Sequence, residues 1–287
     1  MDFEDDLAFC RYLAEKVGVA AIPSSFFWKD RRQGKDLVRF CFCRKDEVEI
    51  MRIAGLQLDT VWEDRETNYR RVKEFARMAK EKGADLLVLP EMFSTGFSMN
   101  LIVTMSYQIA VLGGVVLKGK NGRGRNCARV IDAGGNILTT YAKCHLFSFM
   151  DEDKIHESGE SPQVFKLKGV RVSPFVCYDL RFPEIFRAVA DDVHLMVIIA
   201  SWPAARQLHW DELLPARAVE NQCYVMGINR VGEGDGLIYK GGSAVYDPLG
   251  NRIAFAGDQE TLVLADVDLR HVDKVRSEMP FLRDRKF

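Results

Sequence analysis

Three polar residues of this chain end apolar stretches, and their types suit acyl transfer. Glu91 directly follows ADLLVLP, Lys143 closes ILTTYAK, and Cys177 closes VRVSPFV just before Tyr178-Asp179. Acyl transfer needs a nucleophile, a base and a donor for the oxyanion. A thiol, a carboxylate and an ammonium supply these. A carboxylate at the mouth of a buried strand is partly desolvated, which suits a general base. A cysteine at a strand-to-helix elbow points its sulfur into a cleft, and the first N–H groups beyond it are free to hold an oxyanion. Each residue alone has a blander reading: a core thiol, a solvated loop carboxylate, a surface lysine. The three together, each ending a buried strand, carry the chemistry.

The elements that must position them alternate in type. Residues 52–58, RIAGLQL, form an apolar strand. Residues 66–82 have helical periodicity, with Val72, Phe75, Ala76 and Ala79 on one face and Gly83 as the stop. Apolar strands follow over 84–90 and 110–117. Residues 126–132 and 136–143 flank Ala133-Gly134-Gly135 as a hairpin. The strand 170–177 runs into the helix FPEIFRAVA, and 194–200 is the next strand. A helix covers 211–222, a strand CYVMGINRV follows, and a hairpin turns at Asp247-Pro248-Leu249-Gly250. TLVLADVDL is the last strand. Two sheets with helices outside them account for this mixture, an α/β class. The glycine-rich KGKNGRGRN lacks the phosphate-loop pattern and reads as a surface turn.

Composition sets outer bounds. The 287 residues carry a net charge of −1, with 47% hydrophobic and 28% charged residues. That balance fits one large domain with a small appendage and argues against nucleic acid or an anionic membrane as partner. No apolar run reaches the length of a membrane span. The acidic start, MDFEDDLAFC, has none of the layout of a secretory signal, so a cytoplasmic location is expected. The seven irregularly spaced cysteines do not suggest a disulfide framework. Cys41 and Cys43, in VRFCFC, read as buried thiols rather than metal ligands.

From Met51 to Phe287 the sequence resembles the nitrilase superfamily of carbon–nitrogen hydrolases. The motifs are LPEMFSTGF around Glu91, YAKCHLF around Lys143, VCYDLRFPE around Cys177, the run SWPAARQLHWDELLPARAVENQ, and GGSAVYDPLGN. The resemblance implies a four-layer α-β-β-α sandwich of the nitrilase type and a catalytic Glu–Lys–Cys triad. Glu91 would be the base, Lys143 would stabilise the oxyanion with the Tyr178 N–H, and Cys177 would attack. A second glutamate often follows the lysine in this family, and Glu157 in IHESGE fits that place. The implied reaction is amide hydrolysis through a thioester, with no metal or organic cofactor and with homodimers or larger homo-oligomers as the usual assembly.

MFSTGFSM, CYDLRFPE and SWPAARQLHW are similar to the omega-amidase branch, which cleaves the terminal amide of 2-oxoglutaramate and related acids. Such a small-molecule amide carries a remote carboxylate that a cation should bind. Arg181 and Arg206 are candidates, with Phe97, Trp202 or Trp210 as aromatic walls. Arg181 could equally pair with Asp179 or Glu184 to hold the elbow. Glu220 reads as structural. Alternatives are another amidase of the superfamily, acting on an N-carbamoyl compound or a nitrile, or a non-catalytic protein with a damaged site.

Residues 1–50 resemble the C-terminal end of a fold-type I aminotransferase, through VAAIPSSFFW and VRFCFCRKDEVEI, with Arg39 in the place that grips a substrate carboxylate. The stretch lacks a cofactor lysine and nearly all the rest of such an enzyme, so transaminase activity is not expected. A small α/β appendage or an artefact of joined reading frames would both give this juxtaposition. The hydrolase part departs from its family after Asn100, where LIVTMSYQI leads almost at once into AVLGGVVL and a helix is expected to be missing.

Overall fold

The computed structural model describes residues 3–17, 21–30, 32, 37–40, 50–93, 104 and 106–286. Phe97, Cys41, Cys43 and most of the shortened segment after Asn100 lie outside them, as does the side chain of Arg39. The chain divides into two compact units, Met1–Val48 and Glu49–Phe287.

In the first unit, helix α1 (Asp6–Tyr12) starts at Asp5, whose carboxylate accepts the Ala8 N–H at 2.8 Å. Strands β1 (Ala21–Pro23) and β2 (Val38–Phe40) pair antiparallel. Asp6 is buried and accepts the Ser25 N–H at 2.7 Å.

The second unit contains two six-stranded sheets. The first has the order β16 (Thr261–Asp268), β3 (Ile50–Gln57), β4 (Leu86–Val88), β5 (Ala110–Lys118), β6 (Gly124–Ile131), β7 (Ile137–Ala142). Its two pairings β3–β4 and β4–β5 are parallel, and the others are antiparallel. The second has the order β15 (Arg252–Phe255), β14 (Ala244–Tyr246), β11 (Tyr224–Ile228), β10 (Leu195–Ile199), β9 (Val170–Val176), β8 (Phe165–Leu167). Here β9, β10 and β11 are parallel and the edges again antiparallel. Among the described residues, no helix is long and apolar enough to cross a membrane.

Side chains alternate across a strand, so each sheet has two faces to cover. Met51, Ile53, Leu86, Val88, Ala110 and Leu112 face inward and pack with residues of the second sheet in one core. Ala54, Leu56, Leu87, Leu89 and Val111 face outward and pack with Val72, Ala76 and Ala79 of helix α2 (Arg65–Glu81). The sheets meet closely at Gly55, where a Cβ would lie 2.0 Å from Ile228 Cδ1. Outside the second sheet, the long helix Gln207–Asn221 rests on β11, with Leu214 and Trp210 against Gly227. The result is the four-layer α-β-β-α sandwich expected.

One element was absent from the expectation. The GEGDGLIYK stretch folds as an antiparallel ribbon, β12 (Val231–Gly234) with β13 (Leu237–Lys240). The elbow also differs in detail. After β9 the chain makes a 3-10 turn over Cys177–Arg181 before the short helix Pro183–Arg187 begins.

Candidate active site

Glu91, Lys143 and Cys177 line one cavity of about 680 Å³. Glu91 follows β4 and is buried. Its loop lies flat on β5 because residue 114 is glycine: a Cβ there would sit 2.5 Å from Met92 N and 2.9 Å from Glu91 Cα. Three donors hold the carboxylate. Asn126 Nδ2 (2.8 Å) and Lys143 Nζ (3.4 Å) donate to Oε1, and the Ser201 N–H (2.9 Å) donates to Oε2. Ser201 comes from beyond β10, and Asn229 pins the adjoining Trp202 by accepting its N–H at 2.7 Å and donating to its carbonyl at 3.0 Å.

Lys143 follows β7, with 3% of its side chain exposed. Its N–H donates to Asn126 O and its carbonyl accepts from Gly159 N, both at 2.8 Å. Burial works against the ammonium charge. The neighbouring Glu91, Cys177 and Glu152 outweigh that and raise the lysine above its ordinary range. The shortest of its ion pairs, 2.7 Å, goes to Glu152.

Glu152 therefore stands where the sequence pointed to Glu157. It opens a short helix, Glu152–Ile155, after Asp151 takes a left-handed φ of +58°. Besides Lys143, its carboxylate accepts the Phe147 N–H at 2.7 Å and Asn126 Nδ2 at 3.1 Å. Burial raises its pKa, but Lys143 and these donors bring it below the carboxylate norm. Glu157 faces elsewhere. It accepts the N–H groups of Lys120 (2.9 Å) and Asn121 (2.6 Å) and lies 3.6 Å from Arg125. It ties down the glycine-rich turn between β5 and β6 and does not line the cavity. The correction has a simple cause: one loop carries Asp151, Glu152, Asp153, Glu157 and Glu160, and spacing alone does not say which of them turns inward.

Cys177 has φ of +45°, a strained conformation for a side chain with a Cβ. The strain is held by Asp179, fully buried, which accepts the Val176 N–H (3.1 Å), the Tyr141 hydroxyl (2.7 Å) and the His145 N–H (2.9 Å). The residue is part-exposed to the cavity, while its sulfur is desolvated. Desolvation and the Glu91 charge push the thiol well above its usual range, against the pull of Lys143.

Tyr178, Arg181, Trp202 and Arg206 also line the cavity. Arg181 does not pair with Asp179 or Glu184. Its guanidinium lies 4.8 Å from the Trp202 ring centroid and 3.1 Å from His209 Nδ1. Arg206 lies 5.2 Å over the Phe147 ring. Among the described residues neither arginine has an ion-pair partner. Trp210 does not reach the cavity. It is fully buried behind Trp202, with ring centroids 5.6 Å apart, and donates to Gly242 O. Glu220 accepts from Arg217 at 2.9 Å as a structural tie. Arg230 and Tyr239, stacked at 4.4 Å, form a further wall from the β12–β13 ribbon.

A thiol at a strained elbow, a buried carboxylate and a buried ammonium on one cavity are groups that acyl transfer can use. The chain belongs to the carbon–nitrogen hydrolase family, whose model matches residues 52–277. It is a carbon–nitrogen hydrolase. Among its relatives, the omega-amidase YafV of Escherichia coli (strain K12) is 36% identical over 251 residues, covering 82% of this chain and 96% of that protein. The 2-oxoglutaramate amidase of Bacillus subtilis (strain 168) is 33% identical over 250 residues, covering 81% and 96%. XC1258 from Xanthomonas campestris, a CN-hydrolase superfamily protein with an arsenic adduct in its active site, superposes with a TM-score of 0.78. It is 30% identical, and the match covers 83% of this chain and 98% of that one.

Proposed function

We propose that this chain hydrolyses the terminal carboxamide of a small omega-amide acid such as 2-oxoglutaramate, giving the acid and ammonia through a Cys177 thioester. The observation that carries the reading is the convergence of Cys177, Glu91 and Lys143 on one cavity, with Lys143 Nζ 3.4 Å from Glu91 Oε1. Glu91 takes the thiol proton as the Cys177 sulfur attacks the amide carbon. Lys143 and the Tyr178 N–H bear the developing oxyanion. Glu91 returns the proton to the departing nitrogen, and ammonia leaves. Glu91 then deprotonates a water that attacks the thioester, and the acid and the thiol are released. Glu152 keeps Lys143 charged and in place.

Arg181 is the group proposed to hold the remote carboxylate, since it lines the cavity on an aromatic floor with no acidic partner of its own among the described residues. Trp202 and Tyr178 shape the slot, and Arg206 offers a second cation at its edge. The names of the two amidase relatives support this class of substrate. The reading includes a cytoplasmic location and homodimers or larger homo-oligomers, and takes residues 1–50 as the C-terminal remnant of an aminotransferase.

Ammonia release from 2-oxoglutaramate and succinamate tests the proposal. The Cys177→Ala protein should release none above the uncatalysed background. Unchanged release by that variant would sink the mechanism, and turnover of only nitriles or N-carbamoyl compounds would sink the substrate class.

A further inference from the structure

Between Glu91 and Glu152 lies a side chain to which the hydrolysis above gives no role. Asn126, on β6, is 1% exposed and does not line the cavity. An amide nitrogen carries two hydrogens, and Asn126 Nδ2 reaches two carboxylates: Glu91 Oε1 at 2.8 Å and Glu152 Oε1 at 3.1 Å. The main-chain carbonyl of Asn126 accepts the main-chain N–H of Lys143 at 2.8 Å. One side chain thus touches both carboxylates, on a residue whose main chain is bonded to that of Lys143. Its Oδ1, in turn, is buried with no partner. Leaving a buried acceptor unpaired costs stability. Turning the amide over would point that oxygen at two carboxylates instead, so the orphan follows from the task of the nitrogen.

Charge explains why an amide suits this place. Glu91 and Glu152 bring two negative charges against one positive charge on Lys143. A cation at position 126 would cancel the excess and weaken Glu91 as a base. A carboxylate there would repel both glutamates. A neutral double donor holds both without altering the balance.

We propose that Asn126 is a positioning residue whose amide fork keeps the Glu91 carboxylate turned toward the Cys177 thiol and sets its basicity. The inference rests on Glu91 being the base of the proposed reaction. The groups facing Glu91 are Lys143, Cys177 and the Ser201 N–H, with Glu152 across the amide and Tyr239 near enough to interact electrostatically.

The test compares the full chain with Asn126→Leu, which removes both donors at similar volume, and Asn126→Asp, which keeps the shape and adds a charge. Ammonia release from succinamate is followed across pH. In Asn126→Leu, kcat should fall roughly 10–100-fold while KM stays within about twofold. The acid limb of kcat/KM should move to higher pH, because the ionised carboxylate has lost a donor. It should move further in Asn126→Asp, where a negative charge is added. An acid limb unmoved in the variants, or a loss confined to KM, overturns the proposal, since a merely structural role would lower stability without shifting that limb. If Asn126→Leu does not fold, the isosteric Asp variant decides alone. Cys177→Ala in the same assay separates the two ideas. Activity in it would defeat the underlying reaction, whereas an inactive Cys177→Ala with an unmoved Asn126 limb defeats only the positioning role.

Discussion

Lys143 sits between two carboxylates, and the nearer is Glu152. A buried ammonium keeps its charge only while its counter-charges remain. Replacing Glu152 by Gln should therefore cut kcat by roughly 10–100-fold, the order expected when an oxyanion donor is weakened rather than deleted. Glu157→Gln, five positions on, should leave kcat nearly unchanged and loosen only the turn at Lys120-Asn121. Steady-state ammonia release from the two variants distinguishes the glutamates, and equal losses would contradict the assignment. The positions of Glu91, Lys143 and Cys177 could be read from the chain because each ends an apolar run. Glu152 could not, because its inward turn depends on the left-handed Asp151, a backbone property that five neighbouring acids do not encode. Asn126 was read only as the start of a hairpin strand. Its bond to Glu91 joins residues 35 apart in the chain, and nothing local announces it.

The strands and turns that carry these groups make their own demands. Gly114 lets the Glu91 loop lie on β5, so Gly114→Val must push that loop away. The variant should lose about 1–3 kcal/mol of stability, as overpacking does, and most of its activity per folded molecule. A kcat equal to that of the parent would show that the close approach does not set Glu91. His194 ties the parallel strands of the second sheet at their starts. Its Nδ1 accepts the Arg171 N–H at 3.0 Å, and its carbonyl accepts Tyr224 N at 2.9 Å. Burial and the Arg171 charge lower its pKa from 6.5 to about 4. The folded ring stays neutral where the unfolded one takes a proton. The stability it contributes is full above pH 6.5 and is lost as pH falls toward about 4, a change of order 3 kcal/mol. Urea melts at pH 7 and pH 4.5 should show His194→Gln losing less stability between them than the parent does. Most of the long strands were legible from apolar runs bounded by turns. The β12–β13 ribbon was not, because GEGDGLIYK is short, glycine-rich and without clear alternation, yet it supplies Tyr239 to the cavity wall.

Every described residue of the site belongs to the unit Glu49–Phe287. A chain beginning at Met51 should therefore keep kcat for succinamate within about twofold of the full chain. A collapse of turnover in a truncated protein that still melts cooperatively would assign the first unit a part in the reaction. Within the hydrolase unit, the site is divided between the sheets. Glu91 and Lys143 extend from β4 and β7 of one, and Cys177 and Ser201 extend from β9 and β10 of the other. Neither sheet holds the proposed nucleophile and the proposed base together. During refolding, strands and helices can form while the reaction remains impossible, and turnover returns only when the last face-to-face docking closes. Recovered ammonia release is thus a clock for that closing step, and it should trail the return of far-UV dichroism rather than accompany it.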